Sequence, residues 1–209
     1  YAGWSVSLNA VGDRLAIGTI YADTGGVSSG ELKVYGWSGG SWSQVGSTIT
    51  GAAGELIGWS VDINSVGDRV VVGSPGTSSR GAAKVFQLTD GTWNQLGSSI
   101  VGTGIGDQLG SRVSINSEGD IMAVSTIYSD TGGSNTGQAR IYKWSNSTWQ
   151  QVGSTLNGKA SGDYFGYSIS LNSAGDILVV GAANADVGYT DNGSVQVYGS
   201  YISNSCLLY

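Results

Sequence analysis

Short apolar stretches alternate with glycine-rich polar turns along the whole chain, and the pattern recurs four times. The segment at residues 3–9 (GWSVSLN) returns in similar form at spacings of about 55, 52 and 56 residues. The later copies begin at Gly58, Gly110 and Gly166. Self-similarity at a period of about 50 residues is typical of repeat architectures. We therefore expect one domain over residues 1–209, with repeats at approximately 3–57, 58–109, 110–165 and 166–209.

Each copy contains four short segments with strand character. In Ser5-Val6-Ser7-Leu8 apolar and polar residues alternate with the period of a half-buried strand, and the Asn and Gly-Asp residues that follow are typical of a tight hairpin. A run of small apolar residues then predicts a strand buried on both faces. The fourth copy keeps an apolar run at 205–209 but lacks the Trp-x-Gln-x-Gly motif of the last strand. In the first copy, strands are predicted near residues 6–8, 15–18, 31–35 and 42–46.

A four-stranded unit of this length with glycine-rich turns is typical of a propeller blade. The sequence therefore predicts an all-β fold, a β-propeller of four four-stranded blades. Two arrangements stay open at this point. The four blades close on themselves, or they are part of a larger propeller of the seven-bladed type.

Composition removes several classes of function. The chain has no His, which excludes Ser-His-Asp and Cys-His catalysis and His-ligated metals. Its single cysteine, Cys206, excludes an intrachain disulfide and a Cys-rich metal site. Nine basic residues against 15 acidic ones give a net charge of −6, and the basic residues are scattered singly, so we expect no nucleic-acid partner. No apolar run reaches the roughly 20 residues of a membrane span, so we expect no membrane insertion.

Two motifs resemble a known family. Phe165-Gly166-Tyr167-Ser168-Ile169 and its copies are similar to the FG-GAP repeats of integrin α-chain propellers and of many secreted or surface proteins. The hairpin Tyr35-Gly36-Trp37…Trp42-Ser43-Gln44-Val45-Gly46 is similar to the end of a group of bacterial and algal repeats. The resemblance implies an extracellular or cell-surface location.

Calcium-binding FG-GAP members carry an Asp-x-Asp-x-Asp-Gly-like loop between the first two strands of a blade, where oxygen ligands wrap the ion. Here the corresponding loop at residues 9–13, like each of its copies, has one carboxylate. We expect no cofactor and no metal site, while calcium stays open without a motif. The recurring Asp13, Asp68, Asp120 and Asp176 are predicted to cap turns. The Trp residues of the last hairpin are predicted to pack between blades.

The loops between the second and third strands hold the candidate ligand-binding residues. In a propeller these loops share one face with the connections between blades. Tyr offers an apolar face and a hydroxyl group, and carboxylates accept hydrogen bonds, a combination that suits a glycan. The alternative is a solvated acidic rim with packed Tyr side chains. The candidates on this loop face are Tyr21, Asp23, Tyr128, Asp130, Tyr164, Asp186 and Tyr189. Asn146 and Asn192 each begin a triplet that fits the N-glycosylation pattern.

These observations predict a non-enzymatic extracellular or cell-surface module for binding or adhesion, with a glycan or a surface protein as ligand on the loop face. A structural building block of an extracellular filament, sheath or fibre, with other copies of the chain as partners, is the first alternative. A carbohydrate-active enzyme with Asp23 and Asp186 as paired carboxylates is the second. No catalytic residue is predicted, because nothing fixes the spacing of these carboxylates.

Overall fold

A computed structural model of the chain describes residues 1–76, 80–186 and 192–199, and the backbone of 204–208. These residues form four antiparallel sheets, which we call blades 1 to 4. Blade 1 contains β1 (Ala2–Leu8), β2 (Arg14–Thr19), β3 (Glu31–Ser38), β4 (Ser41–Gln44) and β5 (Ile49–Thr50). Blade 2 contains β6 (Ser60–Ile63), β7 (Arg69–Ser74), β8 (Ala82–Thr89), β9 (Thr92–Gln95) and β10 (Ile100–Val101). Blade 3 contains β11 (Val113–Ile115), β12 (Ile121–Thr126), β13 (Gln138–Ser145) and β14 (Thr148–Asn157). Blade 4 contains β15 (Phe165–Leu171), β16 (Ile177–Ala182), β17 (Ser194–Gly199) and β18 (Asn204–Leu208).

Strands follow one another across each blade from the innermost to the outermost. In blades 3 and 4 the order is the chain order, with each strand paired to the next. In blades 1 and 2 the outermost strand is interrupted, and its second piece pairs with the third strand of the blade as β5 with β3 and as β10 with β8. The prediction of an all-β propeller of four blades is confirmed.

The hairpin between the first two strands of each blade is held by an Asn–Asp pair. The Asn9 side chain accepts hydrogen bonds from the backbone N–H groups of Asp13 and Arg14, at 3.0 and 2.9 Å, and donates one to the Asp13 carboxylate at 2.8 Å. In the other three blades the Asn side chain likewise donates to the Asp carboxylate, as in Asn64 to Asp68 at 2.8 Å. The predicted capping role of the recurring Asp is therefore confirmed.

Consecutive blades are joined by an apolar residue and a glycine, which precede the innermost strand in blades 2 and 3 and begin it in blade 4. The backbone N–H groups of Ile57, Leu109 and Phe165 donate to carbonyl oxygens of the preceding blade, at 3.0, 3.1 and 2.9 Å. All three side chains are fully buried. The glycine that follows each of them has φ of 91 or 92°, a conformation that residues with a side chain rarely adopt. We call these two-residue segments the blade junctions.

Tryptophans on the outer hairpin lock the periphery of neighbouring blades. The Trp93 indole N–H donates to the Val45 carbonyl of blade 1 at 2.9 Å, and that of Trp149 donates to the Leu96 carbonyl of blade 2 at 2.8 Å. Trp42 holds the same position in blade 1, where it is 40% exposed, against 5% for Trp93. The outer-hairpin tryptophan therefore packs between blades, as predicted, in the two blades that have another outer hairpin before them, blades 2 and 3.

Replacing Trp93 with Phe removes this indole donor and part of the buried ring. Because the Val45 carbonyl loses its partner and a small cavity opens, we expect the free energy of unfolding to fall by about 2 kcal/mol. Urea denaturation measures the loss. The matched control is Trp42→Phe, which acts at the equivalent exposed position and is expected to change stability by less than about 0.5 kcal/mol. Equal effects of the two substitutions would contradict this role.

Tyr198 is a buried residue of β17, the third strand of blade 4. Its hydroxyl donates to the Gln196 side-chain oxygen at 2.7 Å, and its ring meets Phe165 edge-on at 6.3 Å between centroids. Burial raises the pKa of the Tyr198 phenol, because ionisation there would place a charge away from water. The folded state therefore keeps this proton to a higher pH than the unfolded chain does.

Tyr198→Phe tests this coupling between folding and pH. In the wild type the contribution is present below the unfolded pKa of about 10 and is lost as the pH rises through the raised folded pKa. We expect the variant to be less stable by about 1 kcal/mol at neutral pH, through the lost hydrogen bond, but to lose less stability than the wild type above about pH 10. Urea denaturation across that range measures both effects. Phe86 occupies the equivalent position in blade 2, so the substitution suits the fold. Identical alkaline losses in both proteins would contradict the assignment.

Candidate functional site

Residues at or beside the innermost strands of the four blades line a cavity of about 590 Å³, which we call the axial funnel. It opens beside the loop of blade 3 that follows β12. Equivalent positions of the repeat supply much of its wall, since Trp4, Trp59 and Tyr167 each directly follow the glycine at the start of a repeat. The funnel is lined by Trp4, Ser5, Trp59, Ser60, Val61, Gln108, Arg112, Ile127, Tyr128 and Tyr167.

Aromatic rings form much of the funnel wall. Trp4 and Trp59 contact each other with ring centroids 5.0 Å apart and planes tilted by 51°. Trp4, Tyr128 and Tyr167 are exposed, although rings of this size usually contribute to a core. Exposed aromatic faces that converge in a concavity are typical of a ligand site rather than of a bare surface.

Arg112 brings a positive charge into this aromatic wall. It stands where the other three repeats have Ser5, Ser60 and Ser168. Its Nη1 donates to the Ser111 carbonyl at 2.7 Å, and its guanidinium carbon lies 5.5 Å from the centre of the Tyr167 ring. Among the described residues Arg112 forms no ion pair. A protein of net charge −6 therefore presents an uncompensated cation at its axis.

A strained backbone places a side chain at the rim of the funnel. Gln108 has φ of 58°, and its carbonyl accepts from the Ser111 backbone N–H and hydroxyl at 3.2 and 2.6 Å. Leu56 and Tyr164 have the same backbone conformation at the equivalent positions of the repeat. Such a conformation costs about 1–3 kcal/mol in a residue with a side chain and often marks functional segments. The Leu56 side chain is buried, whereas Gln108 lines the funnel and Tyr164 packs beside it.

Asp62 ties the inner strands together, one residue beyond Val61 of the funnel wall. One carboxylate oxygen accepts from the Ser7 hydroxyl at 2.8 Å and from the Ile63 N–H at 2.9 Å. The other accepts from the Ser114 hydroxyl at 3.2 Å and from the Ile115 N–H at 2.9 Å. The Ser114 hydroxyl in turn accepts from the Leu171 N–H at 3.1 Å, which extends the network to blade 4. This carboxylate is engaged by structural donors and is not a free base.

The predicted loop face is only partly assembled around the funnel. Tyr128 lines it and meets Tyr164 edge-on at 5.8 Å, whereas Tyr21 packs edge-on against Tyr1 at 5.1 Å. The Asp23 and Asp130 carboxylates accept from the backbone N–H groups of Ser28 and Asn135 in their own loops, at 2.7 and 2.8 Å.

The remaining predicted positions lie away from these contacts. Asp186 is exposed beside a small cleft that includes Asp163, and Tyr189 lies outside the described residues. Asn146 and Asn192 are exposed, as glycosylation requires. The assignment of ligand-binding and glycosylation roles to this set stays a prediction.

Of the funnel residues, the sequence analysis singled out Tyr128 alone as a site candidate, and it missed, among others, Trp4, Trp59, Gln108 and Arg112. The signal for three of them was in the repeat itself, where Gly-Trp-Ser of the first two copies becomes Gly-Ser-Arg in the third. A position that changes from small to charged in one copy only is a candidate for function. Gln108 gives no such signal, because its role depends on the backbone conformation.

A polar cluster in blade 2 lines a separate cleft of about 390 Å³. Lys84 forms an ion pair with Glu55, and the Ser74 hydroxyl donates to the same carboxylate oxygen at 3.3 Å. The other Glu55 oxygen accepts from the Ala52 N–H at 2.8 Å. Ser74 is almost completely buried, so its hydroxyl is not placed to attack a substrate. This cluster is a structural ion pair. The described residues contain no group of three or more acidic, His or Cys side chains that could hold a metal ion.

Comparison with protein families identifies one repeat directly. Residues 150–198 match the model of the FG-GAP repeat, from the outer strand of blade 3 through the third strand of blade 4. This segment is similar to the FG-GAP repeat. The resemblance seen in the sequence is thereby confirmed. Among curated proteins, none matches the chain. No helix of the described residues is long and apolar enough to cross a membrane.

Solved structures of similar fold are propellers at low sequence identity. A Bacteroides fragilis protein designated as a 6-phosphogluconolactonase has a TM-score of 0.60 and 14% identity, over 96% of this chain and 52% of that one. A Bacteroides uniformis protein of the same designation has a TM-score of 0.52 and 9% identity, over 99% and 70%. An acylaminoacyl peptidase from Pyrococcus horikoshii has a TM-score of 0.53 and 9% identity, over 98% and 31%. The chain thus spans about half the length of the first of these proteins.

These comparisons correct two expectations. The prediction of a non-enzymatic binding or adhesion module, with a structural building block as alternative, is wrong, and so is the prediction that the protein is no enzyme. The finding that overturns both is that solved structures similar to this chain include two proteins designated as 6-phosphogluconolactonases and an acylaminoacyl peptidase. Identities of 9 to 14% carry the fold alone, so the chemistry has to be argued from the residues of this chain.

Asp62→Asn tests the network beneath the funnel. The amide keeps the shape but turns one acceptor into a donor that faces a hydroxyl and a backbone N–H, so we expect a loss of about 2–3 kcal/mol in the free energy of unfolding. Asp90→Asn, in an exposed turn of the same blade, is the control and should be nearly neutral. Urea denaturation measures both, and equal stability of the two variants would refute the role of Asp62.

Proposed function

We propose that the protein is a hydrolase that opens sugar lactones in the axial funnel, with Arg112 as the group that stabilises the transition state. The observation that carries the proposal is the uncompensated Arg112 guanidinium within an aromatic wall. The fold shared with proteins designated as lactonases supports the reaction class at the level of the scaffold. The extracellular or cell-surface location expected from the FG-GAP resemblance belongs to the same proposal.

The funnel wall suits a sugar ring. The faces of Trp4, Trp59 and Tyr167 offer apolar surface to the C–H groups of such a ring, while Gln108 offers a polar group for its hydroxyls. The net charge of −6 disfavours the approach of an anionic substrate. A neutral lactone enters without this penalty and becomes negatively charged only in the transition state. Arg112 then binds the transition state more strongly than the substrate, which is the condition for catalysis.

The balanced reaction is the addition of one water molecule to the lactone. Water attacks the carbonyl carbon, and the carbonyl electron pair becomes an oxyanion that faces Arg112. The oxyanion collapses, the bond from the carbonyl carbon to the ring oxygen breaks, and the ring oxygen takes a proton that derives from the attacking water. The product is an open-chain hydroxy acid, which releases its carboxyl proton to the solvent.

The residues of the funnel limit the chemistry to activated substrates. Glycoside cleavage needs a pair of carboxylates, and the described residues that line the funnel include none. Peptide cleavage needs an activated nucleophile, and the chain has no His to activate one. Opening a lactone requires neither a carboxylate pair nor an activated protein nucleophile, because a lactone is already an activated ester. Its leaving group also stays attached to the product. Oxyanion stabilisation by one cation is the contribution that this site can make.

Ring opening of glucono-δ-lactone tests the proposal. We expect the protein to accelerate acid release above the buffer rate in a pH-stat at a pH of about 6.5 to 7, where the spontaneous reaction is slow enough to subtract. Arg112→Gln should lower kcat by about 10²-fold, the usual cost of losing one oxyanion donor, and should change KM less. Arg80→Gln removes an exposed arginine outside the funnel and is the matched control, expected to retain the wild-type rate.

Two results would overturn the proposal. One is a rate equal to that of the buffer for the lactone and for its 6-phosphate. The other is equal activity of Arg112→Gln and Arg80→Gln, which would place the chemistry outside the funnel. Urea denaturation of both variants controls for folding.

A further inference from the structure

Blade junctions occupy a recurring slot on the blade before them, and on blade 3 Ser125 replaces the first of its two glycines. The slot on blade 1 is formed by Gly18 and Gly30, and the slot on blade 2 by Gly73 and Gly81. A Cβ atom at Gly18 or Gly73 would overlap the carbonyl oxygen of the incoming junction glycine, Gly58 or Gly110. Gly18 and Gly73 therefore lie where the next blade approaches closely, while Gly30 and Gly81 also have positive φ, 72 and 75°.

Blade 4 carries the same slot. Gly181 is equivalent to Gly18 and Gly73, and Gly193 has φ of 75°, as does Gly81. Both lie in a cleft of about 290 Å³ on the side of blade 4 where a following blade would pack. The atoms nearest to a Cβ at Gly193 would be the carbonyl groups of Ala183 and Ala182 in its own blade, the closest oxygen at 3.0 Å, and no junction among the described residues fills the cleft. Val195 beside it is 38% exposed, whereas the equivalent Leu32, Ala83 and Ala139 are fully buried.

Blade 1 presents the complementary face. Val6 and Leu8 are 60 and 56% exposed, whereas the equivalent Val61 and Ile63 of blade 2 are 8 and 5% exposed. In blade 2 those two side chains share a cluster with Leu32, which is the equivalent of Val195. In the segment Ala2-Gly3, Gly3 has φ of 82°, close to the junction glycines, while the smaller Ala2 stands where the junctions have Ile57, Leu109 and Phe165. Blade 1 thus has the inserting half of the repeated contact, and blade 4 has the receiving half.

We propose that blade 4 binds blade 1 of a second copy of this chain, with Ala2-Gly3 in the vacant slot and Val6 against Val195. The occupant is argued from the continuity of the interface, because the junctions between blades 1 and 2 and between blades 2 and 3 have the same residue types at the same positions. Two such contacts, related by a twofold axis, close a dimer in which both open faces are buried. Tyr167 lines both this cleft and the axial funnel, so the proposed contact borders the proposed catalytic site.

Analytical ultracentrifugation of the full chain over a range of concentrations tests the dimer. We expect a species of twice the 21.3 kDa chain mass that dissociates on dilution. Val6→Lys and Val195→Glu each place a charge in both contacts of a homodimer, and each should raise the dimer dissociation constant at least tenfold. Both positions are exposed in the single chain, so the fold should tolerate the changes. Val66→Lys, in an exposed turn of blade 2, is the control and should dimerise like the wild type.

Mixing the Val6→Lys and Val195→Glu variants makes the test specific. In a mixed dimer the two introduced side chains, of opposite charge, face each other in one contact, while the other contact keeps the native Val6 and Val195. We expect the mixture to regain dimers that neither variant forms alone, with near-equal proportions of the two chains. A wild type that stays monomeric, variants that dimerise like the wild type, or a mixture that stays monomeric would each overturn the proposal. A monomer that still opens lactones would leave the catalytic proposal intact.

Discussion

The close approach of backbone to backbone at the blade junctions is the constraint on which the rest of the structure depends. A single four-stranded sheet has two faces and cannot bury both alone, so its stability comes from the neighbours on either side. Ile57, Leu109 and Phe165 fill the space between sheets, and their N–H groups bond to the previous blade. A glycine with positive φ must follow, because the chain turns there from the connection into the innermost strand with no room for a side chain.

Once the junctions and hairpins are fixed, the positions that point to the axis are free to differ between blades. Two of them differ in a way that matters. One serine position of the repeat becomes Asp62 in the second copy. The serine position two residues earlier in the repeat becomes Arg112 in the third copy. The first substitution ties the inner strands together through Ser7 and Ser114, and the second supplies the charge of the funnel. A fourfold scaffold thus acquires a single asymmetric site through changes that leave every junction intact.

Most of the fold could be predicted from the sequence because its signals are local. Strand alternation, the Asn–Asp hairpins and the repeat period all lie within a few tens of residues. The site was harder for two physical reasons. Asp23 and Asp130 look like ligand groups, but each carboxylate is bound by an N–H five residues further along its own loop. The funnel joins side chains from four repeats, and only the radial direction of the innermost strands brings Trp4, Trp59 and Arg112 to one cavity.

Asp62 and Arg112 differ in how far neighbouring groups satisfy their charges. Asp62 receives four hydrogen bonds, which stabilise its carboxylate where it stands. Both of its carboxylate oxygens are therefore already engaged by hydrogen-bond donors. Arg112 is held by one carbonyl and one aromatic face, neither of which neutralises it. Between aromatic walls the local dielectric is lower than in water, so an unneutralised guanidinium acts more strongly on charge that develops beside it.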